Sequence, residues 1–412
     1  MTNSETKNFS QNVSSSYHLE DRDKCNKNTC ANTCNVPKLR FKGYNDEWVE
    51  KRIEKVLKIK HGKDQKAIEN NDGIYPILAT SGEIGRSNTF LWDKPCVLIG
   101  RKGTINKPQY MDTPFWTVDT LFYSYVFQNN NAKYLYYLFN TINWKKYDES
   151  TGVPSLSAKT IERIKIKISN NLREQEKIAS FLTLIDKKIE KQKELVELLK
   201  KYKRGLLSAI FSQKLKFKDD NGNDYPAWEE KRLGDICKIV GGGTPDTNNV
   251  KYWGDDINWF TPTEIIKKYA DSSNRKISRL GLLKSSAKIL PIGTVLLTTR
   301  ATLGEMSILS IEATTNQGFQ SLIPVKDEVS SEFIYYCQPI IKHFCYKYAN
   351  GSTFLEISKQ TLAKLKLMIP NKDEQNKISD FLSKFDNKIQ QEECILSYLK
   401  TYKKGLLQQM FI

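Results

Sequence analysis

The sequence predicts an α+β protein in which two tandem mixed α/β domains are separated by two long helices. The helices are expected to form an antiparallel coiled coil and to make the molecule pseudo-twofold symmetric. Three observations predict this. The chain duplicates itself internally, each copy ends in an apolar stripe at helical spacing, and the stretch before each stripe is rich in Thr, Gly, Tyr and Val and broken by turn signals.

The duplication organises the whole chain. Glu174-Gln175-x-Lys177-Ile178-x-x-Phe181-Leu182 recurs as Glu374-Gln375-x-Lys377-Ile378-x-x-Phe381-Leu382, at an offset of 200 residues. The offset persists through Asp186/Asp386, Lys188/Lys388, Ile189/Ile389, Leu199/Leu399, Tyr202/Tyr402, Lys203/Lys403, Gly205/Gly405 and Leu206/Leu406. Upstream, Lys38-Leu39-Arg40-Phe41 and Trp48 echo Lys214-Leu215-Lys216-Phe217 and Trp228. Residues 1–35 are then a polar leader expected to be disordered, 36–170 a first domain, 171–213 a first helix, 214–370 a second domain and 371–412 a second helix.

Within the domains, turn signals such as Asn71-Asp72-Gly73, Gly241-Gly242-Gly243-Thr244-Pro245 and Pro291-Ile292-Gly293 separate strand-like runs, among them Cys96–Ile99 and Thr294–Thr298. The helices are read from their seams. Ile178, Leu182, Ile185, Ile189 and Leu199 follow 3- and 4-residue steps, as do Ile378, Leu382, Phe385, Ile389 and Leu399, with Gln192 and Glu392 as matching polar interruptions. One helix alone cannot bury such a stripe. The first helix leads into the second domain, whose chain returns to start the second helix. Antiparallel pairing then puts one domain at each end of a rod about 50 Å long; packing of each helix on its own domain is the alternative.

The chain has 412 residues, and 64 Lys+Arg against 47 Asp+Glu give it a net charge of +17. A charge of that sign favours a polyanionic partner, most often nucleic acid. No apolar run approaches a membrane span and the N-terminus has no signal region, so a soluble, cytoplasmic protein without a membrane partner is expected. Eight cysteines are no disulfide framework. Cys25, Cys30 and Cys34 fall one ligand short of a structural zinc site, and His18, His61 and His343 stand in no ligand spacing. Phosphate loops, dinucleotide fingerprints, zinc-protease and nucleophile-elbow motifs and the adenine-methyltransferase tetrapeptide are all missing, so catalysis by this chain is not expected.

Paired polar loops stand where chemistry would be. Val97–Ile105, containing Arg101 and Lys102, aligns with Val295–Leu303, containing Arg300, at an offset of 198; Trp116–Thr120 aligns with Thr314–Gly318 at the same offset. Arginine and lysine read guanine edges, Asn and Gln read adenine, and small or hydroxyl residues let the backbone approach a duplex.

These residues resemble the specificity (S) subunit of type I restriction-modification systems, over about residues 36–412. The motifs carrying the resemblance are Gly242-Gly-Thr-Pro-x(7)-Trp253, Trp259-Phe-Thr-Pro-Thr263, Leu297-Thr-Thr-Arg-Ala-Thr302-Leu-Gly304 and Thr315-Asn-Gln-Gly-Phe319. Ile99-Gly-Arg-Lys-Gly-Thr104, Phe115-Trp-Thr-Val-Asp-Thr120 and Thr151-Gly-Val-Pro-Ser155 are the first domain's versions. The resemblance implies two target recognition domains, each reading one half of a split, asymmetric DNA sequence. The helices would be conserved spacers that set the gap and dock two methyltransferase (M) subunits, with restriction (R) subunits added in the full complex. This chain would bind no cofactor; S-adenosylmethionine, ATP and Mg would sit on the partners.

The candidate DNA contacts in the first domain are Thr80, Ser81, Arg101, Lys102, Thr104, Trp116, Thr117, Asp119, Thr120, Lys145, Lys146 and Thr151. In the second they are Thr244, Thr261, Thr263, Thr299, Arg300, Thr302, Thr315, Asn316 and Gln317. Two rival classes are an enzyme acting by itself and a basic scaffold or RNA-binding adaptor without sequence preference.

Overall fold

A computed structural model describes the backbone of residues 19–21 and the whole of residues 35–300, 302–349 and 356–412. The chain divides into two units, residues 1–196 with 391–412 and residues 197–390. Leu19–Asp21 (β1) pairs antiparallel with Leu39–Phe41 (β2), so three residues of the expected disordered leader form a strand. The cysteines Cys25, Cys30 and Cys34 lie outside the described residues.

In the first unit, Val49–Arg52 (β3) and Leu57–Lys60 (β4) are followed by Tyr75–Ala79 (β5), Gly82–Ser87 (β6), Cys96–Gly100 (β7), Gln109–Met111 (β8), Trp116–Thr117 (β9) and Leu121–Val126 (β10). Ala132–Phe139 (α1), Ala158–Arg163 (α2), Lys165–Ile168 (β11) and Leu172–Phe211 (α3) complete this part of the chain. One sheet runs β4-β10-β7-β8, a second β6-β5-β9, and β11 pairs with β3. The run in β7 is apolar without alternation because both faces of that strand are covered. The helix α1 starts where Asn131 accepts the Tyr134 backbone N–H.

The second unit repeats the plan. Glu229–Arg232 (β12), Leu233–Ile236 (α4), Cys237–Gly241 (β13), Trp253–Phe260 (β14), Tyr269–Ala270 (β15), Arg275–Ile277 (β16) and Arg279–Leu283 (α5) come first. Val295–Leu297 (β17), Met306–Leu309 (β18), Thr314–Thr315 (β19), Gln320–Pro324 (β20), Ser331–Tyr336 (α6), Gln338–Tyr348 (α7), Lys359–Ala363 (α8), Lys366–Ile369 (β21) and Lys372–Met410 (α9) follow. Its sheets run β13-β20-β17-β18-β15, β16-β14-β19 and β12-β21. Strand β15 is the addition that distinguishes the larger sheet from its counterpart.

The two long helices, of 40 and 39 residues, each contribute to both units. In the first unit Ile178, Leu182 and Ile185 of α3 share one core with Leu406 and Met410 of α9 and with Phe41 and Tyr137 of the domain. In the second, Ile378 and Leu382 of α9 share a core with Ile210 of α3 and with Phe333 and Ile341. Early residues of one helix therefore meet late residues of the other in each unit, which is antiparallel pairing. The stripe is wide enough to face its own domain as well, so the two packing modes posed by the sequence coexist. Ile189 is half-buried against the first core, and Ile389 and Leu399 are buried. Phe385 meets Tyr202 at 5.7 Å between centroids, and Leu199 is half-buried. The polar interruptions also meet: Gln192 Nε2 donates to the Glu392 carboxylate at 2.6 Å.

A repeated polar clamp fastens each domain to this pair. Asp186 accepts the Tyr137 hydroxyl at 2.7 Å and meets Lys403 Nζ at 2.5 Å. Asp386 accepts the Tyr336 hydroxyl at 2.6 Å and ion-pairs with Lys203. In the second unit Lys268 adds bonds of 2.9 Å to the Tyr336 and Ser383 hydroxyls. Burial pushes both phenols well above the ordinary tyrosine range, so each hydroxyl remains a donor.

The repeated Glu-Gln dipeptide is a second fastening. Gln175 Nε2 donates to Ser169 O at 2.8 Å while its oxygen accepts Asn131 N at 2.8 Å; Gln375 does the same between Pro370 O and Ser330 N, each at 2.9 Å. Arg40 forks onto Glu174 at 2.6 and 2.9 Å, with both side chains buried. Glu374 instead accepts Trp228 Nε1 at 3.0 Å, and burial raises its carboxyl above the ordinary range.

Arg40→Met leaves the Glu174 carboxylate buried beside one serine hydroxyl. The expected cost is about 3–5 kcal/mol, read from the urea midpoint, with the double variant Arg40→Met/Glu174→Leu recovering most of it.

Candidate nucleic-acid interface

The polar loops singled out in each half converge on equivalent strand pairs. In the first unit β5 lies parallel to β9, pairing Ile77 with Trp116 and Leu78 with Thr117. In the second, β14 lies parallel to β19, pairing Trp259 with Thr314 and Phe260 with Thr315. The backbone bonds that join the loops recur one for one. Lys63 N donates to Thr117 O at 2.8 Å, and Gly243 N to Thr315 O at 2.8 Å. Val118 N donates to Leu78 O at 3.1 Å, and Asn316 N to Phe260 O at 3.0 Å. Arg101 N donates to Thr120 O at 2.8 Å, and Thr299 N to Gly318 O at 2.8 Å.

Two glycines make this convergence possible. A Cβ on Gly62 would lie 2.0 Å from Val118 O, and one on Gly242 would lie 2.0 Å from Asn316 O. In both units the backbone passes too close to its neighbour for any side chain.

In the first unit Ser81, Lys102, Asp119 and Thr151 are exposed, while Thr80, Arg101, Thr104, Trp116 and Thr120 are half-buried. Gly103 would bring a Cβ within 3.7 Å of Thr80 Oγ1, and Gly103 N donates to Pro154 O at 2.8 Å, so the Thr80, Arg101–Thr104 and Thr151–Ser155 segments adjoin. The last segment is closed by Asp148, whose carboxylate accepts Ser155 N at 2.9 Å and Ser150 N at 3.1 Å. Those bonds hold its carboxyl below the usual range. Trp116 Nε1 donates to Lys63 O at 3.0 Å. Arg101 Nη1 reaches Asp119 O at 3.2 Å and its carboxylate at 3.4 Å.

In the second unit Thr263, Thr302 and Gln317 are exposed, and Thr244, Thr261, Arg300 and Asn316 are half-buried. Thr244 Oγ1 bonds the Gln317 side chain, Thr302 Oγ1 donates to Pro262 O at 3.4 Å, and Asn316 Oδ1 accepts Gly318 N at 2.8 Å. Thr261 and Glu264 form a reciprocal capping box. Arg300 pairs with Glu356 at 2.7 Å.

Three expected contacts are corrected. Thr117, Thr299 and Thr315 are buried, their side chains turned into the frame of the loops rather than onto its exposed surface. The equivalence of Arg101 N with Thr299 N keeps the 198-residue register, in which Lys102 is the counterpart of Arg300. Lys145 and Lys146 are exposed on a short turn anchored by Trp144, and Lys146 shares a cleft with Glu50, Lys165 and Lys167 rather than with the loops.

Glu356, the partner of Arg300, and Arg275, which is stacked beside the Gly242–Asp246 loop, were not singled out from the sequence, since each lies far along the chain from the residues it meets. The clamp aspartates and lysines carried a signal: they repeat at the 200-residue offset. Among the described residues, no group of three or more His, Cys, Asp or Glu is placed to hold a metal ion.

A family profile described as the type I restriction modification DNA specificity domain matches residues 45–200 and 226–401. The type I restriction enzyme MjaIX specificity subunit of Methanocaldococcus jannaschii is 35% identical over 213 residues, which are 50% of this chain and 49% of that protein. A type I restriction enzyme specificity subunit of Escherichia coli is 27% identical over 217 residues, 49% of this chain and 53% of its own length. Thus the chain spans about half the length of these curated relatives. The fold is that of the type I restriction-modification S subunit from M. genitalium, with a TM-score of 0.60 at 18% identity, covering 92% of this chain and 99% of that one.

Gly242→Ala must displace a backbone carbonyl, and a cost of about 1–3 kcal/mol in urea unfolding is expected. Gly152→Ala, with nothing within 4 Å of the new methyl, is expected to change stability by less than about 0.5 kcal/mol.

Proposed function

This chain belongs to the type I restriction modification DNA specificity family, and on that premise we propose that it is the DNA-recognition subunit of a type I restriction-modification complex, reading a bipartite, asymmetric target. The observation that carries this reading is the pair of loop sets hung on matching backbone bonds but tipped with different side chains. A shared frame with unlike tips reads two unlike half-sites. The first set offers Lys102, Arg101 and Asp119, the second Arg300, Gln317 and Thr263.

The solvent-accessible pairs Arg101–Asp119 and Arg300–Glu356 hold their cations loosely. Such pairs are worth only about 0–1 kcal/mol, so a guanine edge or a phosphate can replace the carboxylate at small cost. The carboxylates then orient the arginines until DNA arrives. Positive charge over the whole chain adds affinity that is independent of sequence.

Catalysis is borrowed. Methyltransferase subunits docked on this chain supply methyl transfer from S-adenosylmethionine, and restriction subunits supply the ATP- and Mg-dependent step. The family match supports these partners, and the absence of a membrane-spanning helix among the described residues is compatible with a cytoplasmic complex.

Selection from random duplexes, with methyltransferase subunits present, tests the reading: the wild-type chain is expected to enrich a split motif, and an unenriched pool overturns the proposal. Arg300→Ala or Lys102→Ala is expected to relax base choice in one half-site only, by about 1–3 kcal/mol per lost pair. Lys145→Ala/Lys146→Ala is expected to weaken binding to all duplexes alike and to flatten its salt dependence.

A further inference from the structure

Arg275 projects from β16 with its guanidinium carbon 3.6 Å from the ring centroid of Trp253 and 5.5 Å from that of Trp259. The two indoles meet edge to face at 5.1 Å. Both are tied to the loop after β13, Trp253 Nε1 donating to Asp246 O at 3.2 Å and Trp259 Nε1 to Gly243 O at 2.9 Å. The guanidinium therefore rests on a platform that borders the Gly242–Asp246 segment of the recognition loops.

What separates this arginine from Arg101 and Arg300 is its bonding. Those two already donate to carboxylates. Arg275 is exposed, forms no ion pair among the described residues, and is held by stacking alone. Stacking immobilises the plane of the fork and leaves its N–H donors open, the arrangement that suits a planar, two-acceptor edge. In duplex DNA that edge is guanine O6 and N7.

The first domain places something different at the same address. Trp259, which pairs with Arg275, is equivalent to Ile77, which pairs with Gly85. A Cβ on Gly85 would lie 2.8 Å from Glu69 Oε1, so a carboxylate fills the space from which the arginine grows in the second domain. The two reading surfaces thus carry opposite charge at matched positions.

We infer that Arg275 is a base-reading residue of the second domain, forking onto a guanine in one half-site. The inference rests on the DNA-recognition reading above and adds to it the residue and the base.

The test is duplex selection by the full chain with methyltransferase subunits present, comparing wild type with Arg275→Ala, Arg275→Lys and Trp253→Leu. The lysine variant keeps the charge and loses the fork, and being exposed it leaves the core untouched. The expected result is that both Arg275 variants lose about 5- to 150-fold of the preference at one G·C position in one half-site, with the other half-site unchanged. Trp253→Leu is expected to weaken the same position. Equal loss on every duplex with a shallower salt dependence would mark a phosphate contact and overturn the assignment, as would an unchanged preference. A wild-type chain that enriches no split motif would instead refute the recognition reading itself.

Discussion

An apolar stripe running along a forty-residue helix cannot be left to water, and most of this architecture follows from how it is covered. In each unit the stripe lies between its own domain and the far part of the other long helix, so a domain core and a helix pair are one continuous apolar body. Apolar contact has no direction and would let a domain slide along that surface. The clamps remove the freedom: one carboxylate binds a domain hydroxyl and the antiparallel helix's lysine at once, in both units. Partly buried charges hold such geometry better than surface ion pairs, because less water competes for them.

On that foundation the recognition loops divide into parts with opposite requirements. Their backbone bonds recur between the units, and Gly62 and Gly242 permit close approach that no other residue tolerates. Thr117 and Thr315 occupy equivalent buried places and serve the same frame. The exposed tips differ almost throughout. On the proposed DNA-recognition role, such a division separates the residues that position from the residues that discriminate, as phosphate and base contacts are separated in protein–DNA recognition generally.

The division also explains how much could be read from the sequence. The offset of 200 announced the helices, the Gln175 and Gln375 fastening and the clamp residues, because these keep their chemistry in both units. The offset of 198 across the loops is the register of the recurring hydrogen bonds, so the alignment of Val97–Ile105 with Val295–Leu303 has a direct structural meaning. The inward turn of Thr299 was not legible, since a threonine at a strand end is compatible with either face until its neighbours are known. Nor was the Arg275 platform: Trp253 and Arg275 come together only through the pairing of β14 with β16, whose register shifts between Trp253 and Ile257. A period-2 pattern cannot foretell such an irregularity.

The three arginines near the loops show why geometry, rather than composition, has to settle specificity. All would count equally toward the basic character of the chain, yet Arg101 and Arg300 are paired with carboxylates whereas Arg275 forms no ion pair among the described residues. An ion pair that has to be broken lowers the net gain from a correct base, but it also discourages binding where no base edge compensates. The stacked arginine carries no such penalty, and its ring platform reduces the conformational entropy lost on contact. On the proposed DNA-recognition role, the same domain holds one arginine that is unpaired among the described residues before contact and one that must first leave a carboxylate, and the balance between them would set discrimination apart from affinity.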